Sequence, residues 1–171
     1  KAIQKVFNGQ AVVQRCQWHK RENVVSYLPK HEQATYRRRL QRAYEQSNYE
    51  SAKAALRQVE RDIRVLNESA ANSLKEGQEE TLTLHRLGLF EELGRNFKTT
   101  NCMESLMSLV GQHTDKVDHW KNSNQKQRWL ATTLLIVEPR LNKISGYKYL
   151  KLLRIAIQNE LKMPTVNTQA A

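Results

Sequence analysis

The fold prediction depends most on Ala11-Val12-Val13-Gln14-Arg15-Cys16, which is followed by Gln17-Trp18-His19-Lys20-Arg21-Glu22-Asn23-Val24. The first six residues are short and rich in β-branched side chains, which predicts a β-strand over 11–16. Most of the remaining chain has helical periodicity, and a loop is predicted over 90–100. Helices are predicted over 2–7, 19–28, 31–46, 47–66, 68–87, 125–137 and 146–162, with one more beginning at 101. Because one strand cannot make a sheet, the chain is either almost entirely helical or part of a larger fold.

The composition indicates a folded, basic protein. The 171 residues include 28 Lys and Arg against 17 Asp and Glu, a formal net charge of +11, and 39% of them are hydrophobic. This hydrophobic share excludes wholesale disorder, and two cysteines are too few for a disulfide framework. The longest apolar run, over 129–137, is far shorter than the roughly 20 residues that span a bilayer. We therefore expect an intracellular protein with no membrane span.

The positive charge is concentrated at the two ends of the chain. Residues 1–64 carry 14 basic and 6 acidic side chains, residues 65–115 carry 4 and 8, and residues 116–171 carry 10 and 3. A polyanion such as nucleic acid could contact both basic ends and avoid the acidic middle. A cluster such as Arg37-Arg38-Arg39 with Arg42 is equally well explained as the solvated face of a helix.

Three segments of the chain carry recognisable motifs. The first contains Gln14-Arg15-Cys16, His19-Lys20 and Asn23-Val24, and the second is Thr99-Thr100-Asn101-Cys102-Met103-Glu104-Ser105-Leu106. The third contains Trp120-Lys121, Gln127-Arg128-Trp129-Leu130-Ala131, Ile144-Ser145-Gly146-Tyr147 and Leu150. In order and spacing these segments resemble the Mutator-type transposases of bacterial insertion sequences, and residues 30–95 match that family least.

The resemblance implies an RNase H-like α/β domain that is interrupted by a helical insertion and that catalyses DNA transposition. Residues 1–29 and 96–163 would belong to the core, residues 30–95 to the insertion, and residues 164–171 to a flexible tail. Three carboxylates, in the order Asp, Asp, Glu, would hold two divalent metal ions, with Mg²⁺ expected, and Glu104 would be the third carboxylate. The intact protein would act on transposon ends and target DNA, as a homo-oligomer at the nucleoid of the bacterial cytoplasm.

The first two carboxylates of the family have no counterpart in this sequence. Its three aspartates, Asp62, Asp115 and Asp118, all follow Cys16, whereas the two aspartates of the family precede that position. We therefore expect this chain to be the C-terminal portion of the catalytic region and to be inactive by itself.

Glu104 also has a purely structural interpretation. Asn101-x-x-Glu104 has the form of a capping box, in which the glutamate accepts a hydrogen bond from the Asn101 N–H. A glutamate that is turned toward its own helix cannot also face a metal ion, and the flanking motif favours the metal ligand.

Cys16 and His19 form half of a zinc-binding motif, which His113 and His119 could complete. Alternatively, Cys16 packs as a small buried hydrophobic residue and His19 binds backbone nearby. Because a structural zinc site normally needs four ligands, the second interpretation is favoured.

Aromatic and basic side chains beside the motifs are the candidate DNA contacts. Trp120 could stack on an unpaired base, whereas Trp129 is expected in the core among neighbouring leucines. The expected phosphate contacts are Lys20, Arg21, Lys121, Lys126 and Arg128.

A function of another class stays open, namely a non-catalytic basic helical module that binds nucleic acid or a partner protein. Such a module would have no use for a lone buried strand.

Overall fold

A computed structural model describes residues 2–162 of the chain. Within this range there are eleven α-helices, two 3-10 turns and no strand. The helices are α1 (Ala2–Phe7), α2 (Gln17–Ser26), α3 (Lys30–Tyr44), α4 (Tyr49–Leu66), α5 (Glu68–Lys75), α6 (Gln78–Thr81), α7 (Thr83–Arg86), α8 (Phe90–Phe97), α9 (Asn101–Thr114), α10 (Ser123–Val137) and α11 (Leu150–Lys162), and the 3-10 turns are Glu138–Arg140 and Tyr147–Tyr149. None of the helices in the described range is long and apolar enough to cross a membrane. The mostly helical prediction is confirmed, and the tail predicted at 164–171 lies outside the described residues.

The predicted strand over 11–16 is wrong, because this segment pairs with no other strand in residues 2–162. It is bound instead to the short helices α6 and α7. The Arg15 N–H donates to the Glu80 carbonyl at 2.8 Å, and the Thr83 hydroxyl donates to the Val13 carbonyl at 2.7 Å. Since these bonds satisfy backbone groups without a ladder, β-branched composition alone does not produce a strand here.

Helices α2 to α5 form a bundle around the main core. Helix α3 packs on α2 and α4, and α5 packs on the same two helices. Each helix buries residues at helical spacing, and the fully buried side chains of the bundle include Val24, Val25, Leu40, Leu56, Ile63 and Leu74. Removal of these apolar side chains from water is the main source of stability for the bundle.

A second, smaller core joins α7 and α8 to the C-terminal helix α11. Its buried side chains are Leu84, Leu89 and Leu93, and Phe90, Phe97, Tyr149, Leu153 and Ala156 pack against them. The chain enters this contact through Gly146, which has a φ of +77°, and a Cβ at this position would overlap the Glu92 carbonyl oxygen. Glycine is therefore required there for two reasons, the positive φ and the close approach.

Two other segments differ from the sequence prediction. The single helix predicted over 68–87 is divided into α5, α6 and α7, and Gly77, with a φ of +67°, lies at the first break. Residues 90–97, predicted as a loop, form α8, in which Leu93 is fully buried. Tertiary packing of that side chain stabilises a helix too short to be stable by its own propensity.

The four arginines of the α3 cluster fall into two pairs. Arg37 and Arg39 form ion pairs with carboxylates of α2 and α4. Arg38 and Arg42 are exposed, and neither takes part in an ion pair within the described part of the chain. Two of the four side chains therefore brace the bundle, and the other two are open to solvent.

Candidate functional site

Cys16 lies at the turn that begins α2. Its sulfur accepts a hydrogen bond from the His19 N–H at 3.5 Å, so Cys16 acts as the N-cap of this helix. The His19 ring lies against the same sulfur, with Nδ1 at 3.1 Å from Sγ. The Gln17 N–H donates to the Lys98 carbonyl at 2.8 Å, which ties this turn to the segment that precedes α9.

The second motif brings Thr100 and Glu104 to the same place. Thr100 precedes the first residue of α9, and its hydroxyl donates to Glu104 Oε1 at 2.5 Å. The hydroxyl oxygen lies 3.6 Å from Cys16 Sγ and 3.3 Å from His19 Nδ1. Glu104 Oε1 is 3.9 Å from His19 Nε2. These four side chains, from two segments far apart in sequence, form what we call the Cys16–Glu104 cluster.

Glu104 does not close a capping box. Asn101 is the first residue of α9 and not its cap, since Thr100 occupies the cap position. The Glu104 carboxylate accepts from the Thr100 hydroxyl, and 59% of its side chain is exposed. The capping-box interpretation is therefore wrong, and the carboxylate is open to a ligand from solvent.

Thr100 links the cluster, although the sequence alone predicts no role for it. The signal that could identify it is its place directly before a helix, where a hydroxyl commonly bonds to groups of the first turn. Asn101, the third motif residue predicted for the site, is exposed at the start of α9.

The environment of Cys16 is polar and only partly buried. Partial burial works to raise the pKa of its thiol. The hydrogen bond from the His19 N–H, together with the polar contacts of the Thr100 hydroxyl and the His19 ring with the sulfur, outweighs burial and lowers this pKa below its usual value. The expectation that Cys16 packs as a small buried hydrophobic residue is therefore wrong.

The residues of the cluster do not by themselves compose a metal centre. Among residues 2–162, no group of three or more His, Cys, Asp or Glu side chains is arranged to hold an ion. Glu104 offers oxygen donors, but its neighbours His19 and Cys16 offer nitrogen and sulfur, which Mg²⁺ disfavours. A two-magnesium centre thus does not fit the side chains of this cluster alone.

Lys20 is buried and does not offer its charge to DNA. The residue is 4% exposed, and its ammonium donates to the Ser73 carbonyl and to the Glu76 carboxylate, the latter at 3.1 Å. The prediction of a phosphate contact at Lys20 is therefore wrong, because α5 encloses the side chain. The Arg21 side chain is only 16% exposed and is bound to Glu22, so little of its guanidinium reaches solvent.

The remaining predicted phosphate contacts lie around the start of α10. Lys121, Lys126 and Arg128 are exposed, and none of them forms an ion pair among the residues that the structure describes. Their charges are therefore available to an anion, and direct contact with phosphate stays a prediction.

The two tryptophans of this region pack against each other. The Trp120 and Trp129 rings meet edge to face, with centroids 5.9 Å apart. The expectation that Trp129 lies in the core is wrong, since it is 41% exposed, as is Leu130, and Leu135 is 70% exposed. Helix α10 fully buries only one narrow stripe, and Trp129 lies where that stripe reaches solvent.

Comparison with known proteins identifies the family. A family model described as "Transposase, Mutator family" matches residues 1–138, a range that contains the Cys16–Glu104 cluster and all of α10. No curated protein and no solved structure matches the chain. Transposases act on DNA, so DNA is the partner that the family implies. Because the match covers most of the 171 residues, the chain belongs to the Mutator family of transposases.

Proposed function

We propose that this chain supplies a catalytic carboxylate, Glu104, and a DNA-binding surface to the cleavage and strand-transfer reactions of transposition. The observation that carries the proposal is the meeting of two family motifs in the Cys16–Glu104 cluster, where the carboxylate is exposed. We also propose that Glu104 helps to bind a divalent metal ion, with Mg²⁺ expected, and that the intact protein acts as a homo-oligomer at the nucleoid. This chain by itself is proposed to be inactive.

Within the cluster, Thr100 and His19 are proposed as positioning residues. The Thr100 hydroxyl holds Glu104 Oε1 by a short hydrogen bond and restricts the rotation of the carboxylate. The His19 ring, held by Cys16, places Nε2 within 3.9 Å of the same oxygen. Such preorganisation matters because a reacting group that is already oriented loses less entropy in the transition state.

We further propose that this chain forms part of an RNase H-like core. Apolar side chains on α10 and α11 support it, because Leu130, Leu135, Ile136, Leu152 and Ile155 are 41–70% exposed. A sheet packed on these helices would remove this surface from water, which is favourable by about 25 cal/mol per Å².

The experiment is substitution Glu104→Gln in the transposase, with cleavage and strand transfer measured on a transposon-end DNA. Glutamine retains an acceptor for the Thr100 hydroxyl, so the cluster geometry should survive while the charge is lost. We expect cleavage to fall by about 10²-fold or more, the order that a positioned carboxylate contributes, with DNA affinity unchanged. Cleavage at a normal rate would refute the assignment.

The matched control is Glu91→Gln. Glu91 is an exposed glutamate in the first turn of α8, as Glu104 is in the first turn of α9. We expect this change to leave cleavage near normal. An equal loss in both variants would assign the effect to general charge and not to the cluster.

The alternative function is a non-catalytic basic helical module that binds nucleic acid or a partner protein. The α2–α5 bundle favours it, since the bundle has its own core and exposes Arg38 and Arg42. The absence of a strand over 11–16 in the described chain removes one argument against it. This alternative predicts that the chain binds DNA but contributes no catalytic group. Neither glutamate substitution would then change the rate of cleavage by the transposase.

A further inference from the structure

A cleft of about 510 Å³ lies between the C-terminal end of α9 and one face of α10, together with the segment before α10. His113 lines it from α9, and Lys121, Gln125, Arg128 and Trp129 line it from α10 and the segment before it. This volume falls within the range of small-ligand sites in proteins. The cleft shares no residue with the Cys16–Glu104 cluster, so a ligand there would be held apart from the proposed catalytic carboxylate.

The chemistry of the lining is specific. All charged or protonatable side chains in the lining are cationic or basic, namely Lys121, Arg128 and His113, and no carboxylate is among the lining residues. Lys121 and Arg128 have no ion-pair partner in residues 2–162. An anionic ligand would therefore meet no acidic competitor for these cations.

An aromatic surface lies among these cations. Trp129 lines the cleft, keeps 41% of its surface exposed and is braced edge to face by Trp120. An indole that is held in place by a neighbouring ring loses little freedom when a flat ligand stacks on it. Thr132 adds a hydroxyl to the lining, and Gln125, whose Oε1 accepts from the Lys121 N–H at 2.7 Å, adds its NH₂ group. Both can bond to the polar edge of a base.

A flat ring system joined to an anionic phosphate satisfies all of these features at once. We propose that the cleft binds an unpaired nucleotide of a DNA strand, with its base against Trp129 and its phosphates at Arg128 and Lys121. A strand fits better than a free nucleotide because the polar and cationic lining continues from Lys121, in the segment before α10, through Gln125 and Arg128 to Thr132 on the helix. The seven steps from Gln125 to Thr132 alone correspond to about 10 Å of helix. The inference rests on the proposed function only in taking DNA as the substrate.

The test is fluorescence anisotropy of the whole chain with two labelled duplexes of equal length. One is fully paired, and the other contains a single unpaired thymine. We expect the chain to bind the second about tenfold more tightly, a change that stacking of one base can supply. Equal binding of the two duplexes by the unsubstituted chain would overturn the inference.

Substitution Trp129→Ala should abolish this preference and leave affinity for the paired duplex within about twofold. Trp129→Phe, which keeps an aromatic ring, should retain part of the preference and guards against misfolding of the alanine variant. The matched control is Trp18→Ala, since Trp18 is 48% exposed and is not among the residues that line the cleft. Loss of the preference in the control, or its survival in Trp129→Ala, would contradict the assignment.

Two further measurements test the phosphate contact and distinguish a DNA strand from a free nucleotide as the ligand of the cleft. Substitution Arg128→Gln should weaken binding of the thymine-containing duplex, because the proposal places a phosphate of that strand at Arg128, and an unchanged affinity would contradict this placement. Competition by millimolar thymidine monophosphate should be weak, and displacement of the thymine-containing duplex at that concentration would assign the cleft to free nucleotides. All of these experiments measure binding affinity, so their results do not depend on whether the Glu104→Gln variant cleaves DNA.

Discussion

Substitution of Lys20 tests whether the charge of this residue stabilises the fold or contacts DNA. Its side chain is buried, with the ammonium bonded to the Ser73 carbonyl and to Glu76. Substitution Lys20→Met keeps most of the buried stem but removes the charged donor. A hydrogen bond from a charged group contributes about 1.5–3 kcal/mol, and the pair with the exposed Glu76 adds at most about 1 kcal/mol. We expect the free energy of unfolding to fall by about 1.5–4 kcal/mol in urea denaturation.

The same substitution should leave DNA binding unchanged. Each phosphate contact contributes about 0.9 to the slope of log affinity against log salt, and Lys20 should contribute none. The matched control is Lys121→Met, at an exposed lysine, which should change stability by less than about 0.5 kcal/mol and lower the salt slope by about 0.9. A Lys20→Met variant of normal stability with a lower salt slope would refute the reasoning and restore Lys20 as a DNA contact.

Two other predictions concern the fold. Gly146 and Gly88 both have positive φ, but a Cβ at Gly88 meets nothing within 4 Å. Gly88→Ala should therefore cost about 1–2 kcal/mol of unfolding free energy, and Gly146→Ala should cost more, so equal losses would contradict the overlap with Glu92. Burial lowers the pKa of His85, an effect that Lys98 reinforces and that hydrogen bonds to two backbone carbonyls oppose. Because the folded pKa is depressed, this contribution to stability is full above about pH 6.5, the unfolded value, and is lost as the pH falls through the folded pKa. Urea midpoints at pH 7.5 and 5.5 should therefore differ more in the unsubstituted chain than in His85→Gln, and an equal difference would show that His85 is not the titrating group.

Most helices could be predicted from the sequence because their signals are local. In α4, Val59 and Ile63 lie at the helical spacing that predicts this helix, and both are buried. The boundaries of α3 and α10 lie within two residues of the predicted ones. Where the decisive interaction was distant the prediction was wrong, as at 11–16, whose hydrogen-bond partners lie on α6 and α7.

The candidate site, like the fold, could be predicted from the sequence only in part. The motifs that contain Cys16, His19 and Glu104 are visible in the sequence and identify the family. Their meeting through the Thr100 hydroxyl is not visible, because it joins residues 84 positions apart. The burial of Lys20 and the exposure of Trp129 were likewise opposite to expectation.

Residue type and spacing set the net charge, the helical periodicity and the motifs, since each depends on neighbours within a few positions along the chain. The packing of the helices determines which charged side chains are buried in hydrogen bonds and ion pairs and which stay exposed and available to DNA. Lys20 and Lys121 have the same side chain, but packing of α5 encloses one and leaves the other at an open cleft. The physical reason is that solvent access and hydrogen-bond partners depend on the distances between helices, which local sequence does not contain.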